Sequence, residues 1–236
     1  MIKGIIFDLN GTLDNTNQAI ARAFLEILKK YFPTLKSSQL KKFSEELMIF
    51  FWQADKLADL KYPQWEMIDI IKYGVGKWAA FRKIKLNISQ FAQDYNIIRK
   101  KYLSIKPEFA SLIKKMPKRG IMKFVFSQGN SKTDVLSLLE KSSLTEKDFT
   151  EIISTKSFPG EIKPSIKILS YLLKKYRLKA GDCLVVGDDI LADIMPAKIL
   201  GMRTILISDY VDFFAKKVDQ IHALIKSKAF SKTKRC

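Results

Sequence analysis

The chain has 236 residues, 47% hydrophobic and 28% charged. That balance excludes a disordered chain, no apolar run reaches the ~18 residues of a membrane span, and two cysteines give no disulfide framework. The formal net charge is +18, but the lysines are scattered and far outnumber arginine, so steering of small anions is expected and a nucleic-acid partner is not.

In chain order, an apolar run (Ile5, Ile6, Phe7) ends abruptly at Asp8. A continuous apolar run reads as a strand buried on both faces, as in a parallel sheet. No basic-then-apolar leader precedes it, so a reducing cytoplasm is the expected location. A long stretch then carries helical apolar spacing: Ile20, Phe24, Ile27 and Leu28, then Phe43, Leu47, Phe50 and Phe51, then Ile68, Ile71 and Val75. Ser37-Ser38, Tyr62-Pro63 and Gly74-Val75-Gly76 are expected to punctuate it. This predicts a helical insert over residues 15–105, between core segments 1–14 and 106–236.

The core is expected to resume with a helix around Glu108–Met116 and a strand from Ile121. A helix at about Lys132–Glu140, a strand near Glu151–Ser154 and a helix at about Ser165–Tyr176 follow. A strand around Leu184, a helix near Ile194–Leu200, a strand at Thr204–Ile207 and a last helix from about Phe214 complete the pattern. Strands alternating with helices predict right-handed crossovers and a Rossmann-like parallel sheet, an α/β fold.

Four strand or helix ends carry residues suited to chemistry. In open α/β sheets, ligands bind beyond the carboxyl ends of strands. Asp8-Leu9-Asn10-Gly11-Thr12 ends the first strand, and Ser127-Gln128-Gly129-Asn130 ends the Ile121 strand. Lys163-Pro164 is expected to open a helix, with Pro inside its first turn and Lys163 beside free N–H groups that favour anions. Gly187-Asp188-Asp189, with Asp193 beyond, follows the Leu184 strand. Each piece alone is an ordinary turn or helix entry. Four in this order are hard to explain as coincidence.

Together these stretches resemble the haloacid dehalogenase (HAD) superfamily, most of whose members are phosphatases. The resemblance covers nearly the whole core, with Ala197 and Gly201-Met202 at its end. It implies an Asp8 nucleophile that forms an aspartyl-phosphate, with Lys163 neutralising charge. Gly11, Thr12, Ser127, Gln128, Gly129 and Lys163 would hold the phosphoryl group, partly through backbone N–H groups near Gly11 and Gly129. Mg²⁺ would be held by Asp8, Asp188, Asp193 and the backbone carbonyl of Asn10, with Asp189 a weaker candidate. The insert would be a helical cap that closes over the site and chooses a small phosphorylated metabolite.

Asn10 departs from the family pattern, which has a second Asp there as general acid and base. Asn cannot exchange that proton at neutral pH, so slowed turnover is expected, or a phosphate-binding or regulatory module without turnover. A metal-independent dehalogenase of the superfamily also lacks the second Asp, but has no need of Gly187-Asp188. Other conspicuous residues have bland readings. Cys183 is expected in the core, Cys236 in a fraying tail, and His222, the sole histidine, has no expected chemical role. Trp52, Trp65 and Trp78 are expected to pack inside the insert, and nothing in the sequence chooses among them, Arg82 and Arg99 as a substrate contact.

Overall fold

A computed structural model of the chain describes residues 2–62, 65–117 and 120–207. The apolar runs form five parallel strands: β1 (Gly4–Asp8), β2 (Met122–Ser127), β3 (Glu151–Ser154), β4 (Cys183–Gly187) and β5 (Arg203–Leu206), in the order β3-β2-β1-β4-β5. β1 is central and every one of its residues is buried, as an unbroken apolar run requires. The register pairs Asp8 with Phe126 on one side and Phe7 with Val186 on the other. The carboxyl ends of β1, β2 and β4 therefore lie side by side.

Alternate β1 side chains feed two cores, because successive Cβ atoms point to opposite faces. Phe7 packs with Phe109 and Ile113 of α5 (Pro107–Lys115) and with Val135 and Leu139 of α6 (Lys132–Glu140). Ile6 packs on the other face with Leu169 and Leu172 of α7 (Ile166–Lys175) and Ala197 of α8 (Met195–Ile199). Cys183 is buried in this second core, as expected.

Between β1 and α5 the chain builds four helices: α1 (Thr16–Tyr31), α2 (Ser37–Lys61), α3 (Met67–Arg82) and α4 (Ile88–Tyr102). They enclose a third core. Phe24 sits at its centre, stacked on Tyr95 at 4.4 Å between ring centroids and edge-on to Phe51 at 6.1 Å. Trp78 is fully buried there, while Trp52 and Trp65 are partly buried and pack against this core. Arg82 is committed to Glu46 (Nε to Oε2, 2.6 Å) and lies over the Phe43 ring.

The expected break at Gly74-Val75-Gly76 is absent, and all three residues lie inside α3. Helix propensity is a weak prior that packing overrides. Gly74 is where α3 meets the α2 backbone, and a Cβ there would lie 3.0 Å from the Phe50 carbonyl oxygen.

The connections into and out of the four helices run antiparallel and are tied together. Asp14 bridges Ile105, Lys106 N–H donates to the Leu13 carbonyl (2.8 Å), and Asn15 N–H donates to the Ser104 carbonyl (3.1 Å). The expected helix from Phe214, with His222 and Cys236, lies outside the described residues. Among the described residues no helix is long and apolar enough to cross a membrane.

Removing a buried ring leaves a void that close-packed neighbours fill only in part. Phe24→Ala should therefore cost about 3–5 kcal/mol in urea unfolding followed by tryptophan fluorescence. A loss below about 1 kcal/mol would contradict this packing.

Candidate active site

Asp8 ends β1 with its carboxylate buried beyond the sheet edge. Its Oδ1 accepts a hydrogen bond from Lys163 Nζ, and the same ammonium donates to Asp193 Oδ1 at 2.7 Å. Lys163 is itself buried and lies 4.6 Å from the centre of the Phe126 ring. Burial alone would lower its pKa, but the Asp8 and Asp193 charges outweigh that and raise it, so the ammonium stays charged.

Lys163 reaches this position by a different route from the expected one. α7 begins at Ile166, capped by Ser165, whose Oγ accepts from Lys167 N–H. Lys163 and Pro164 thus precede the helix and are not in its first turn. A residue before proline avoids helical backbone, and serine is a strong N-cap. Gln128 Oε1 accepts from Lys163 N–H at 3.0 Å and ties this segment to the loop after β2.

Asp188 completes the acidic group. One carboxylate oxygen each of Asp8, Asp188 and Asp193 lie within 4.8 Å of one another. Burial, opposed by the Lys163 charge and reinforced by Asp193 and Asp188, pushes the Asp8 carboxyl up to about 8. Burial and the Asp193 charge push Asp188 up to about 6. Asp8 Oδ2 is buried and has no hydrogen-bond partner. Three hard oxygen donors around a single lysine, with one buried oxygen orphaned, suit a small divalent cation. Asp189 is turned elsewhere: its Oδ1 accepts from the N–H groups of Leu191 and Ala192, and its Oδ2 faces Lys56 Nζ of α2 at 3.2 Å.

The loop Leu9–Leu13 lies against this group. Thr12 Oγ1 donates to Asp188 Oδ1 at 3.2 Å. Gly11 has φ +81°, and a Cβ there would stand 2.3 Å from Asp188 Oδ2, so both conformation and space require glycine. Asn130 Nδ2 donates to Ser127 Oγ at 2.8 Å and to Asn10 Oδ1 at 3.1 Å. That contact orients the Asn10 amide and joins the loops after β1 and β2.

The N–H groups of Gly11 and Gly129 themselves are engaged inside the protein. Gly11 N–H donates to Asp14 Oδ1 at 2.8 Å, and Gly129 N–H to Thr155 Oγ1 at 3.2 Å. The reason is local: an Asp side chain three residues on satisfies its own turn, and Thr155 sits buried at the end of the neighbouring strand β3. Asn130, Asp14 and Lys106 hold the loops in place, a role that the sequence reading assigns to none of them. Asn130 follows Gly129 directly, so the hydrogen-bonding side chain there was the available signal. Arg99 is buried on α4, where its Nη2 donates to Asn96 Oδ1 at 3.3 Å.

Comparison with known proteins bears on the family and the fold. Glyceraldehyde 3-phosphate phosphatase of Methanocaldococcus jannaschii is 27% identical over 241 residues, 96% of this chain and 98% of that one. The enzyme of the same name from Pyrococcus furiosus is 26% identical over 216 residues, 86% and 80% of the two chains. The HAD-hydrolase YfnB from Bacillus subtilis, solved bound to magnesium, superposes with a TM-score of 0.69 at 15% identity, covering 87% of this chain and 86% of its own, which shows a shared fold. The sequence profile of the haloacid dehalogenase-like hydrolases matches residues 5–207, and the chain belongs to that family.

Proposed function

We propose that this chain is a Mg²⁺-dependent phosphoryl-transfer enzyme, a phosphatase-like hydrolase acting on a small phosphorylated metabolite. The observation that carries this is the buried Asp8 carboxylate, paired with Lys163 through one oxygen and without a partner on the other. The names of the two archaeal relatives support the substrate class.

Phosphoryl transfer needs an in-line nucleophile and positive charge at the equatorial oxygens. Asp8 supplies the nucleophile, forming an aspartyl-phosphate as the leaving oxygen departs. Asp8, Asp188, Asp193 and the Asn10 backbone carbonyl would hold Mg²⁺. When bound, the cation adds positive charge where a carboxylate would otherwise be repelled by a phosphate dianion. Lys163 contributes fixed positive charge beside Asp8. Ser127, whose Oγ accepts from Asn130, keeps its own proton to donate to a phosphoryl oxygen. Helices α1–α4, residues 15–105, serve as the cap, and Lys56–Asp189 and Glu66–Lys156 (3.1 Å) seat them on the core.

Asn10 lowers the rate. Losing a general acid–base costs about 10²–10⁴-fold, or about 3–5.5 kcal/mol of barrier. Donors with good leaving groups, such as acyl or aryl phosphates, escape the first penalty because their leaving oxygen needs no proton. Hydrolysis of the aspartyl-phosphate stays slow. The Asn130–Asn10 hydrogen bond favours a second reading, a phosphate-binding or regulatory module, since it holds a neutral amide where the proton carrier would sit.

Asn10→Asp keeps the same acceptor for Asn130 and restores a titratable group. It should raise Mg²⁺-dependent hydrolysis of p-nitrophenyl phosphate about 10²–10⁴-fold, with Asp8→Asn inactive. A rate unchanged by Asn10→Asp would show that the proton is carried elsewhere.

Folding also links to pH. Asp8 and Asp188 hold protons more tightly folded than unfolded, where a carboxyl titrates near about 3.9. The folded state thus carries extra protons from about pH 4 to 8, and stability falls as pH rises through that window. A divalent cation replaces those protons. Without metal, the melting temperature should fall from about pH 5 to about pH 8, and Mg²⁺ should raise it more at the higher pH. Equal Mg²⁺ stabilisation at both values would contradict the acidic cluster as the metal site.

A further inference from the structure

Lys56 of α2 carries a positive charge from the helical layer to the acidic end of the sheet. Its Nζ lies 3.2 Å from Asp189 Oδ2. Asp189 in turn is built onto the acidic group. Its main-chain N–H donates to Asp193 Oδ2 at 3.3 Å, and Asp193 Oδ1 accepts from Lys163 Nζ, the partner of Asp8. The Asp189 carboxylate is also fixed in place, because its Oδ1 accepts from the N–H groups of Leu191 (2.7 Å) and Ala192 (2.9 Å). A core residue directly against the Asp8 site therefore anchors the Lys56 ammonium.

This chain of contacts runs outward. Side-chain exposure is 8% for Asp8, 4% for Lys163 and 3% for Asp193, then 35% for Asp189 and 60% for Lys56. A phosphoryl group attacked in line by Asp8 has its leaving group on the side away from that carboxylate. Strand β1 lies behind the carboxylate, so the leaving group extends toward the open rim, and the rim carries Lys56. The ion pair there is weak. Pairs this exposed contribute little, so the ammonium can turn from Asp189 to a substrate anion at small cost, and Asp189 keeps the two N–H groups on its Oδ1. A lysine suits this task, since its flexible stem ends in a compact charge that takes an anion from many directions.

We propose that Lys56 is a specificity-determining residue: it favours phosphorylated substrates whose leaving group bears a carboxylate a few bonds from the phosphorus. This rests on the reading of the Asp8 end of the sheet as a phosphate site, and the experiment separates the two.

Binding would be measured by calorimetry in saturating Mg²⁺ with two phosphonates, whose C–P bond is not an ester and survives the measurement. Carboxyethylphosphonate carries a carboxylate, and propylphosphonate carries a methyl group in its place. The native chain should bind carboxyethylphosphonate about fivefold more tightly, the scale of one exposed ion pair. Lys56→Met should abolish that preference and leave the affinity for propylphosphonate unchanged, while Lys56→Arg should keep the preference. Lys156→Met removes the other ion pair between the helices and the core, with Glu66, and should leave the preference intact. Equal affinities for the two phosphonates in the native chain would overturn the proposal. So would a Lys56→Met variant that binds both more weakly to the same extent, which would mark Lys56 as a seat for the helices only. A preference that Lys156→Met also removes would overturn it too, since net charge and not Lys56 would be responsible. If the native chain binds neither phosphonate, the phosphate site itself falls and the proposal with it.

Discussion

Everything at the sheet's carboxyl edge depends on one buried ammonium. Lys163 is enclosed by protein, and an unpaired charge there would be prohibitively costly. Two carboxylates and the face of Phe126 receive it. Those partners come from the end of β1, the turn after β4 and strand β2, so the lysine fixes three parts of the sheet relative to one another. The pairing is also incomplete. Asp188 adds a third carboxylate, and one oxygen of Asp8 has no partner. On the proposed reading, this excess of negative charge with an orphaned oxygen is what a divalent cation would complete.

The loops around that site are held by their own neighbours. Asp14 takes the Gly11 N–H, Thr155 takes the Gly129 N–H, and Asn130 spans Ser127 and Asn10. Such bonds fix shape before a ligand arrives, which is what preorganised electrostatic stabilisation requires. On the proposed reading, the helical layer closes this edge from above, and its two connections run beside the very loop that would receive the phosphate.

Much of this was legible in the sequence, because strong patterns were involved. The run ending at Asp8 is apolar at every position and sits at the centre of the sheet, buried throughout. The i, i+3, i+4 spacing of Ile20, Phe24, Ile27 and Leu28 gives the buried stripe of α1. The Ser165 cap, by contrast, decides a helix start locally. Ser165 outcompeted the Lys163-Pro164 entry that helix-start preferences suggested. Gly74 could not be read as a packing residue, because the helix it lets α3 approach lies elsewhere in the chain. The engagement of the Gly11 and Gly129 N–H groups was equally hidden, since their acceptors only become neighbours when the loops fold. Asp189 shows the same limit: adjacent to Asp188 in sequence, it caps a turn and faces α2.

The central claim is that Asp8 is a nucleophile whose phosphorylated form outlives that of an enzyme with a proton carrier at position 10. The most direct measurement is mass spectrometric mapping of the chain after incubation with an acyl phosphate and Mg²⁺, quenched in acid. The expected result is one phosphoryl group on the peptide bearing Asp8, dependent on Mg²⁺ and shorter-lived in Asn10→Asp. No phosphoryl group, or one on a different residue, would contradict the account.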